Sequence, residues 1–241
     1  MSSHPEEALY GYDPLALVIH LCHRMGDGMD SLGCFISAAK DFTNWAKGRI
    51  ENGDPIGTVL DIGAHRGMVS MAARRLGCAN LLAVEPNKDN VRCLKENLAL
   101  VEGRGQYAVI QAAVSSKVGM GLLQCKAGSS GQNSMRFTKS FADRSETVET
   151  VTFHHLIDRA GVVDYCKIDV EGAEYDIFDG GDAAVSSLRR VGWLNLELHG
   201  ADTSIMETTD PEGEDARLRD TLRRAGFAIS DTAMAFRGPQ R

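Results

Sequence analysis

Thr58-Val59-Leu60-Asp61-Ile62-Gly63-Ala64-His65-Arg66-Gly67 starts as a β-branched and apolar run and ends in a turn holding two glycines. Apolar residues at helical spacing follow it. The stretch therefore reads as strand, tight turn and helix, the opening unit of a βαβ fold. Further short apolar runs predict strands at Leu81–Val84, Ala108–Ala112, Tyr165–Val170 and Trp193–Leu198. Helical stretches of about Gly67–Leu76 and Lys88–Leu100 separate the first three strands, with Gly77 and Gly103 as stops. This alternation predicts a mostly parallel sheet covered by helices on its faces.

The turn has the spacing D-x-G-x-x-x-G, which is neither the dinucleotide fingerprint G-x-G-x-x-G nor a phosphate loop. A pyrophosphate wants closely spaced glycines and a helix N-terminus aimed at its charge. Asp61 at the strand end suits an ammonium instead. Gly63 is expected to let the backbone approach a ligand where a Cβ would intrude. The helix opening near Gly67 offers N–H groups to a carboxylate. Together these fit the amino-acid end of S-adenosylmethionine. Glu85, followed by Pro86-Asn87, closes the second strand. Ligands in such sheets lie beyond the carboxyl ends of the strands, where the strand order reverses. A carboxylate there can accept both hydroxyl protons of a ribose, in charge-assisted bonds of roughly 1.5–3 kcal/mol. An ordinary tight turn and a solvated glutamate before proline are the bland readings. Their occurrence together discriminates better than either alone.

The rest of the chain bounds the answer. With 241 residues it is long enough for one large α/β domain plus an extension. Its 43% hydrophobic and 24% charged residues are those of a globular protein. A net charge of −7 with scattered Lys and Arg argues against gripping a nucleic-acid backbone. The six cysteines form no CxxC pair and no zinc spacing, so they read as core thiols. The N-terminus lacks a basic start, and the apolar run Leu15–Cys22 is too short to span a bilayer, which predicts a cytoplasmic protein with no membrane segment. Ser31–Ile50 carries apolar residues at helical spacing, with Ser31 as N-cap and Gly53 as stop. The expected division is a mostly helical extension over 1–55 and the main domain over 56–241. Within the latter, Val148–Phe153 reads as an extra strand and Gly128–Ser134 as a loop by composition. Helical spacing returns near Ala173–Phe178 and from Asp215 to Ala225. Phe227–Ser230 and Ala233–Phe236, split by Asp231-Thr232, suit a final antiparallel hairpin.

Several stretches in order carry a family resemblance: Val59–Ala64, Ala83-Val84-Glu85-Pro86-Asn87, Leu94-Lys95-Glu96-Asn97, Ala112-Ala113-Val114-Ser115, Cys166-Lys167-Ile168-Asp169-Val170-Glu171-Gly172-Ala173-Glu174, and Leu196-Glu197-Leu198-His199. Over roughly residues 56–200 the chain resembles the FkbM methyltransferases, and the Lys167–Glu174 stretch is the most specific element. The resemblance implies a Rossmann-like class I sheet of seven strands with the last antiparallel. It also implies S-adenosylmethionine as cofactor and transfer to a hydroxyl of a sugar or polyketide-type product. Asp61, Gly63, His65, Gly67, Glu85, Pro86, Asn87, Ala112, Ala113 and Asp169 are the expected cofactor contacts. The sequence departs from the family at His65-Arg66, where Asn and a small or apolar residue usually stand, and its first 55 residues have no counterpart.

Methyl transfer to oxygen needs alignment, which supplies up to roughly 7–11 kcal/mol in well-oriented cases, and removal of the acceptor proton. Asp169 is expected to end the fourth strand, and Glu197 and His199 the fifth, so that all three open onto the same crevice as Asp61 and Glu85. Either His199 or Asp169 takes the proton in this reading, with Glu197 orienting its neighbour and Lys167 an ion-pair partner of Asp169. Glu171 and Glu174 either charge the first turn of the following helix or meet ligand. Asp169, Glu171, Glu197 and His199 could gather around a divalent cation, but the spacing has no metal signature and no metal ligand is assigned. Gly128–Ser134 and Gly200–Gly213 are the expected places for acceptor specificity. His154-His155 reads as a helix start. A nicotinamide oxidoreductase, a binding module without catalysis and a nucleic-acid methyltransferase are the rival functions. The missing second glycine, the intact acidic residues and the absent Asn/Asp-Pro-Pro-aromatic motif respectively disfavour them.

Overall fold

The computed structural model describes residues 32–178, 181–199, 204–229 and 236–237. The expected mobile start, the Leu15–Cys22 run and the cap at Ser31 lie outside them, as do Asp231-Thr232. Helix α1 (Leu32–Glu51) leads into strand β1 (Thr58–Ile62), helix α2 (Met68–Arg75), strand β2 (Asn80–Val84), helix α3 (Lys88–Leu100) and strand β3 (Gln106–Ile110). Strands β4 (Ala113–Val114), β5 (Gly119–Cys125), β6 (Asn133–Ser134) and β7 (Arg144–Val151) follow, then helix α4 (Phe153–Ala160) and strand β8 (Val163–Ile168). Helices α5 (Glu174–Ile177) and α6 (Asp182–Leu188), strand β9 (Val191–Leu196), helix α7 (Pro211–Ala225) and strands β10 (Ala228–Ile229) and β11 (Phe236–Arg237) complete the chain.

The main sheet has the order β10-β11-β9-β8-β1-β2-β3. The strands from β9 to β3 run parallel, and β11 is antiparallel to both of its neighbours. The chain steps outward from β1 through β2 to β3 and returns to β8 on the other side of β1. The strand order thus reverses between β1 and β8, where the connections leave a crevice above the carboxyl ends.

β1 is buried on both faces, as a central parallel strand must be. Leu60, Ile62, Cys166, Ile168, Leu194 and Leu196 face the layer of α4, α6 and α7. Val59, Leu81, Ala83 and Tyr165 face α1, α2 and α3. Helix α1 contributes fully buried Ala39, Phe42 and Ala46 to that second core, with Phe42 edge-on to Tyr165 at 5.0 Å between ring centroids. It ends as expected at Gly53, which takes a left-handed φ of 77°. Cys78, Cys125 and Cys166 are buried free thiols.

Three strands begin two residues before their predicted starts: β3, β8 and β9. Backbone pairing sets these boundaries, with Asn80 level with Gln106 and Val163 level with Val191, whereas the apolar pattern marks only where side chains are buried. One consequence is that Asp169, Glu197 and His199 stand past the strand ends instead of on them. Gly128–Ser134 is a loop with the short strand β6 at its end. The predicted strand at Val148–Phe153 is the second half of β7, whose antiparallel partner β5 had no prediction. β5 carries glycines at 119 and 121 and exposed Met120, which hide its pattern. His154 and His155 do open α4, capped by Thr152. Helix α7 starts a turn earlier than predicted because Pro211 at its first position and the Asp210 cap favour initiation there.

Candidate active site

A cavity of about 500 Å³ lies at the strand-order reversal, walled by the β1 turn, the β2 end, the β8 and β9 ends and the Gly128–Asn133 loop. Asp61, Gly63, His65, Glu85, Pro86, Ala112, Ala113, Asp169, Glu197 and His199 all line it. Gly67 and Asn87, two of the expected cofactor contacts, do not. Gly67 starts α2 in a left-handed conformation, and a Cβ there would meet Leu94 at 2.5 Å, so its place is set by packing against α3. Asn87 caps α3, its side chain accepting from the amides of Asp89 and Asn90.

Gly63 has a task beyond the one its sequence suggests. It takes φ 73°, and a Cβ would stand 1.7 Å from the carbonyl oxygen of Asp169. The Cβ position is therefore filled by the backbone just past the neighbouring strand, while Gly63 itself lines the cavity. Its own carbonyl accepts from Lys167 Nζ at 2.9 Å, which ties β1 to β8 at the mouth of the crevice.

Asp61 is 1% exposed. One carboxylate oxygen accepts from Ser70 Oγ at 2.6 Å, while Oδ1 is buried without a hydrogen-bond partner. Burial, opposed by the Lys167 charge, raises its pKa. A buried acceptor left open in a cavity wall is costly unless something donates to it. An ammonium is the donor whose charge suits it.

Glu85 is more heavily used than predicted. Its Oε2 accepts from the His65 amide at 2.9 Å, and its Oε1 from the Asn87 amide at 3.0 Å and Asn90 Nδ2 at 3.2 Å. A carboxylate offers about four acceptor positions, so one remains. The two ribose hydroxyls expected there would meet a carboxylate with one position left. Burial raises the Glu85 pKa against these three bonds.

His65 and Arg66, the family departure, tie the β1 turn to its surroundings. His65 takes φ 50° and its Nε2 lies 2.8 Å from Ser130 Oγ. Burial, then the nearby charges of Arg66 and Lys167, push its pKa down to about 3, so the ring is neutral. Asn90 bridges the same parts, donating to Glu85 and to the Ser130 carbonyl at 3.0 Å. Arg66 Nε donates to Asn90 Oδ1 at 3.3 Å. The Gly128–Asn133 loop is thereby pinned over the crevice.

The opposite end of the cavity is built from charged groups. Lys167 Nζ stands 3.1 Å from Asp169 Oδ2, the ion pair that their alternation on one face predicts. Burial disfavours the Lys167 cation, but Asp169 and Asp61 outweigh it and raise its pKa. Burial likewise opposes the Asp169 anion, and Lys167 and His199 overcome it, holding that carboxyl low. His199 Nδ1 is 3.0 Å from Glu174 Oε1, and Glu174 is fully buried and also accepts from the Val170 amide. His199 Nε2 faces Glu171 at 3.7 Å, Asp169 at 3.8 Å and Glu197 at 4.0 Å. Burial works against a charged His199, yet the Glu174 bond and the carboxylates around it lift its pKa to about 9. Burial, then the Asp169, Glu174 and Glu197 charges against that of His199, raises Glu171 to about 7.

Sequence reasoning missed the bridging role of Asn90 and the Ser70 bond to Asp61, and of the two places it left open for Glu171 the structure takes the cavity wall. Glu171 adopts φ 54°, unusual for a residue with a Cβ, and is followed by Gly172 at φ 94°. This turn sets Glu171 ahead of the helix and in the lining of the cavity. Glu174, in contrast, does open α5. Asp169, Glu171 and His199 bring one ligand-type atom each within 4.8 Å of one another, a spread a divalent cation can bridge.

Against known families, residues 61–229 match the methyltransferase FkbM domain. The chain belongs to the FkbM methyltransferase family. S-adenosylmethionine is its cofactor, and the open Asp61 oxygen and remaining Glu85 acceptor fit it. Curated proteins give no sequence match. Among solved structures, the FkbM methyltransferase of Methylobacillus flagellatus KT is 11% identical over 92% of this chain and 57% of its own, with a TM-score of 0.43. The METTL16 methyltransferase domain is 15% identical over 93% of this chain and 78% of its own, at 0.45. A TehB-like S-adenosylmethionine-dependent methyltransferase from Corynebacterium glutamicum is 9% identical over 84% and 96%, at 0.38. Among the described residues, no helix of this FkbM protein is long and apolar enough to cross a membrane.

Proposed function

We propose that this FkbM protein methylates a hydroxyl of a small molecule or glycan, of the sugar or polyketide class, and that Glu171 accepts the hydroxyl proton. The carrying observation is the Glu171 carboxylate in the cavity wall, with a pKa raised to about 7. A base matched to the working pH contributes roughly 10²–10⁴-fold. Bound S-adenosylmethionine supplies an electrophilic methyl group. Asp61 Oδ1 takes its ammonium and Glu85 one ribose hydroxyl, while His65, Pro86, Ala112 and Ala113 complete that wall.

The roles first given to His199 and Asp169 change. With its pKa lifted to about 9, His199 holds a proton at neutral pH and has no vacant lone pair for another. It serves as the cation that keeps Glu171 and Glu197 in place. Asp169, held low by Lys167, is a weak base, and it positions Lys167 against the β1 turn. Among the described residues no arginine lines the cavity, which supports a small acceptor over a nucleic acid.

In this reading the class I sheet has seven strands with the last in sequence antiparallel, and the methyltransferase domain spans 56–241. Residues 1–55 are an extension whose helix α1 joins the main core, and the protein works in the cytoplasm.

The test is release of S-adenosylhomocysteine across a panel of hydroxyl acceptors. Glu171→Gln should cut turnover about 10²–10⁴-fold and leave S-adenosylmethionine affinity within twofold. Turnover within twofold of the parent would remove Glu171 as the base.

A further inference from the structure

The acceptor end of the cavity is short of positive charge. Four carboxylates, Asp169, Glu171, Glu174 and Glu197, stand within 4.0 Å of the His199 ring nitrogens. Lys167 adds one ammonium, already committed to Asp169 and to the Gly63 carbonyl. Four anions against two cations leave a formal charge of −2. Among the described residues, those lining the cavity include no arginine and no lysine besides Lys167.

These carboxylates are not equally satisfied. Asp169 has Lys167, and Glu174 Oε1 has the Val170 amide and His199 Nδ1, while its Oε2 is buried away from the cavity without a partner among the described residues. Glu171 and Glu197 accept no hydrogen bond among the described residues, and their side chains are 27% and 29% exposed. Both line the cavity. Burial and then the Asp169 charge raise the Glu197 pKa, as befits an anion among anions. An occupant that donates protons and brings positive charge relieves both the open acceptors and the repulsion. A phosphate or carboxylate in the same place adds to them.

We propose that the acceptor carries an ammonium group close to the hydroxyl that is methylated, and that Glu197 receives this ammonium beside Glu171. This rests on the reading of the cavity as a methyl-transfer site. The substrate class is an amine-bearing polyhydroxyl compound, such as an amino sugar or an aminocyclitol. Glu197 then selects the acceptor, and Glu171 takes the hydroxyl proton. An organic ammonium suits the site better than a divalent cation does. A metal would take Asp169, Glu171 and His199 as ligands, whereas an ammonium needs only the two carboxylates that accept no hydrogen bond among the described residues.

The test uses the full chain loaded with S-adenosylhomocysteine, and sets of hexoses and cyclitols each in four forms: amine, parent hydroxyl, N-acetyl and phosphate. Binding is read by calorimetry and by the rise in the thermal midpoint. Amine forms should bind at least about tenfold tighter than their parent hydroxyl and N-acetyl forms, and phosphates should be weakest. Glu197→Gln should lose about tenfold or more in amine binding and leave the parent hydroxyl form within twofold. If that variant fails to fold, Glu197→Asp retains the charge with a shorter reach and should show a smaller loss of the same selectivity.

Equal binding of amine and hydroxyl forms, a preference for phosphate, or no binding of any amine overturns the proposal. So does binding that requires added magnesium or manganese and is lost with chelator, which would assign these carboxylates to a metal. Calorimetry with S-adenosylmethionine separates the two levels. If it binds and amines show no advantage, only the acceptor proposal falls. If it does not bind, the methyl-transfer reading falls as well.

Discussion

Replacing Glu85 by Gln isolates the most heavily used carboxylate in the cofactor wall. The glutamate receives three N–H donors, from His65 and Asn87 backbone and the Asn90 side chain, and has one acceptor position left. A glutamine can put its oxygen where Oε1 stands, keeping the Asn87 and Asn90 bonds. Its amide NH₂ then faces the His65 N–H, donor against donor, and the position open to a ribose hydroxyl becomes a donor too. An unsatisfied buried N–H costs about 1–3 kcal/mol, which appears in the free protein. For a chain of this length that lowers the thermal midpoint by roughly 2–12 °C. Loss of a charge-assisted bond of about 1.5–3 kcal/mol weakens cofactor binding roughly 10-fold to 150-fold. Titration calorimetry with S-adenosylmethionine, beside thermal unfolding without ligand, separates the two effects. An affinity within twofold of the parent would refute the ribose assignment, and an unchanged midpoint would refute the claim that the three donors depend on this carboxylate.

Gly63→Ala should be far worse than a usual glycine substitution, because its Cβ would fall 1.7 Å from the Asp169 carbonyl at a left-handed φ. We expect a loss above about 3 kcal/mol in urea unfolding, and a loss under about 1 kcal/mol would show that the β1 and β8 ends are not in contact there. Asn90→Ala removes the bridge between Glu85 and the Ser130 carbonyl, so amides of residues 128–133 should exchange with deuterium faster and cofactor affinity should fall several-fold. Unchanged exchange in that loop would contradict the bridge. The pKa of His199 rises on folding from 6.5 to about 9, so its contribution to stability is full below pH 6.5 and is lost as pH climbs through 9. The thermal midpoint should decline across that window, and His199→Gln should flatten the decline; parallel pH profiles for the two proteins would rule it out. Turnover should rise as Glu171 loses its proton near pH 7, and a pH profile flat from 6 to 8 would speak against that base.

Much of the site was legible because it depends on local chemistry in order along the chain. The D-x-G-x-x-x-G turn, the acidic end of β2 and the Lys167–Glu174 stretch each carry their signal within a few residues. The alternation of apolar runs with helical spacing was enough for the parallel sheet, since burial of β1 on both faces leaves an unbroken apolar run. What the chain alone could not show depends on atoms far apart in sequence. Gly63 meets Asp169 across 106 positions, and the reason for that glycine is visible only when β8 lies beside β1. The acceptor capacity of Glu85 is set by donors on two other segments, and the proton on His199 by carboxylates gathered from the β8 and β9 ends. Asn87 and Gly67 have the residue types of ligand contacts, but the structure shows them as a helix cap and a packing position outside the cavity lining. The sequence by itself determined the class of fold, the family and the cofactor, because these are written in periodicity and short motifs. The tertiary structure alone decided which carboxylates are free, which are spent and which ring holds a proton, because hydrogen bonding and charge depend on distance in space.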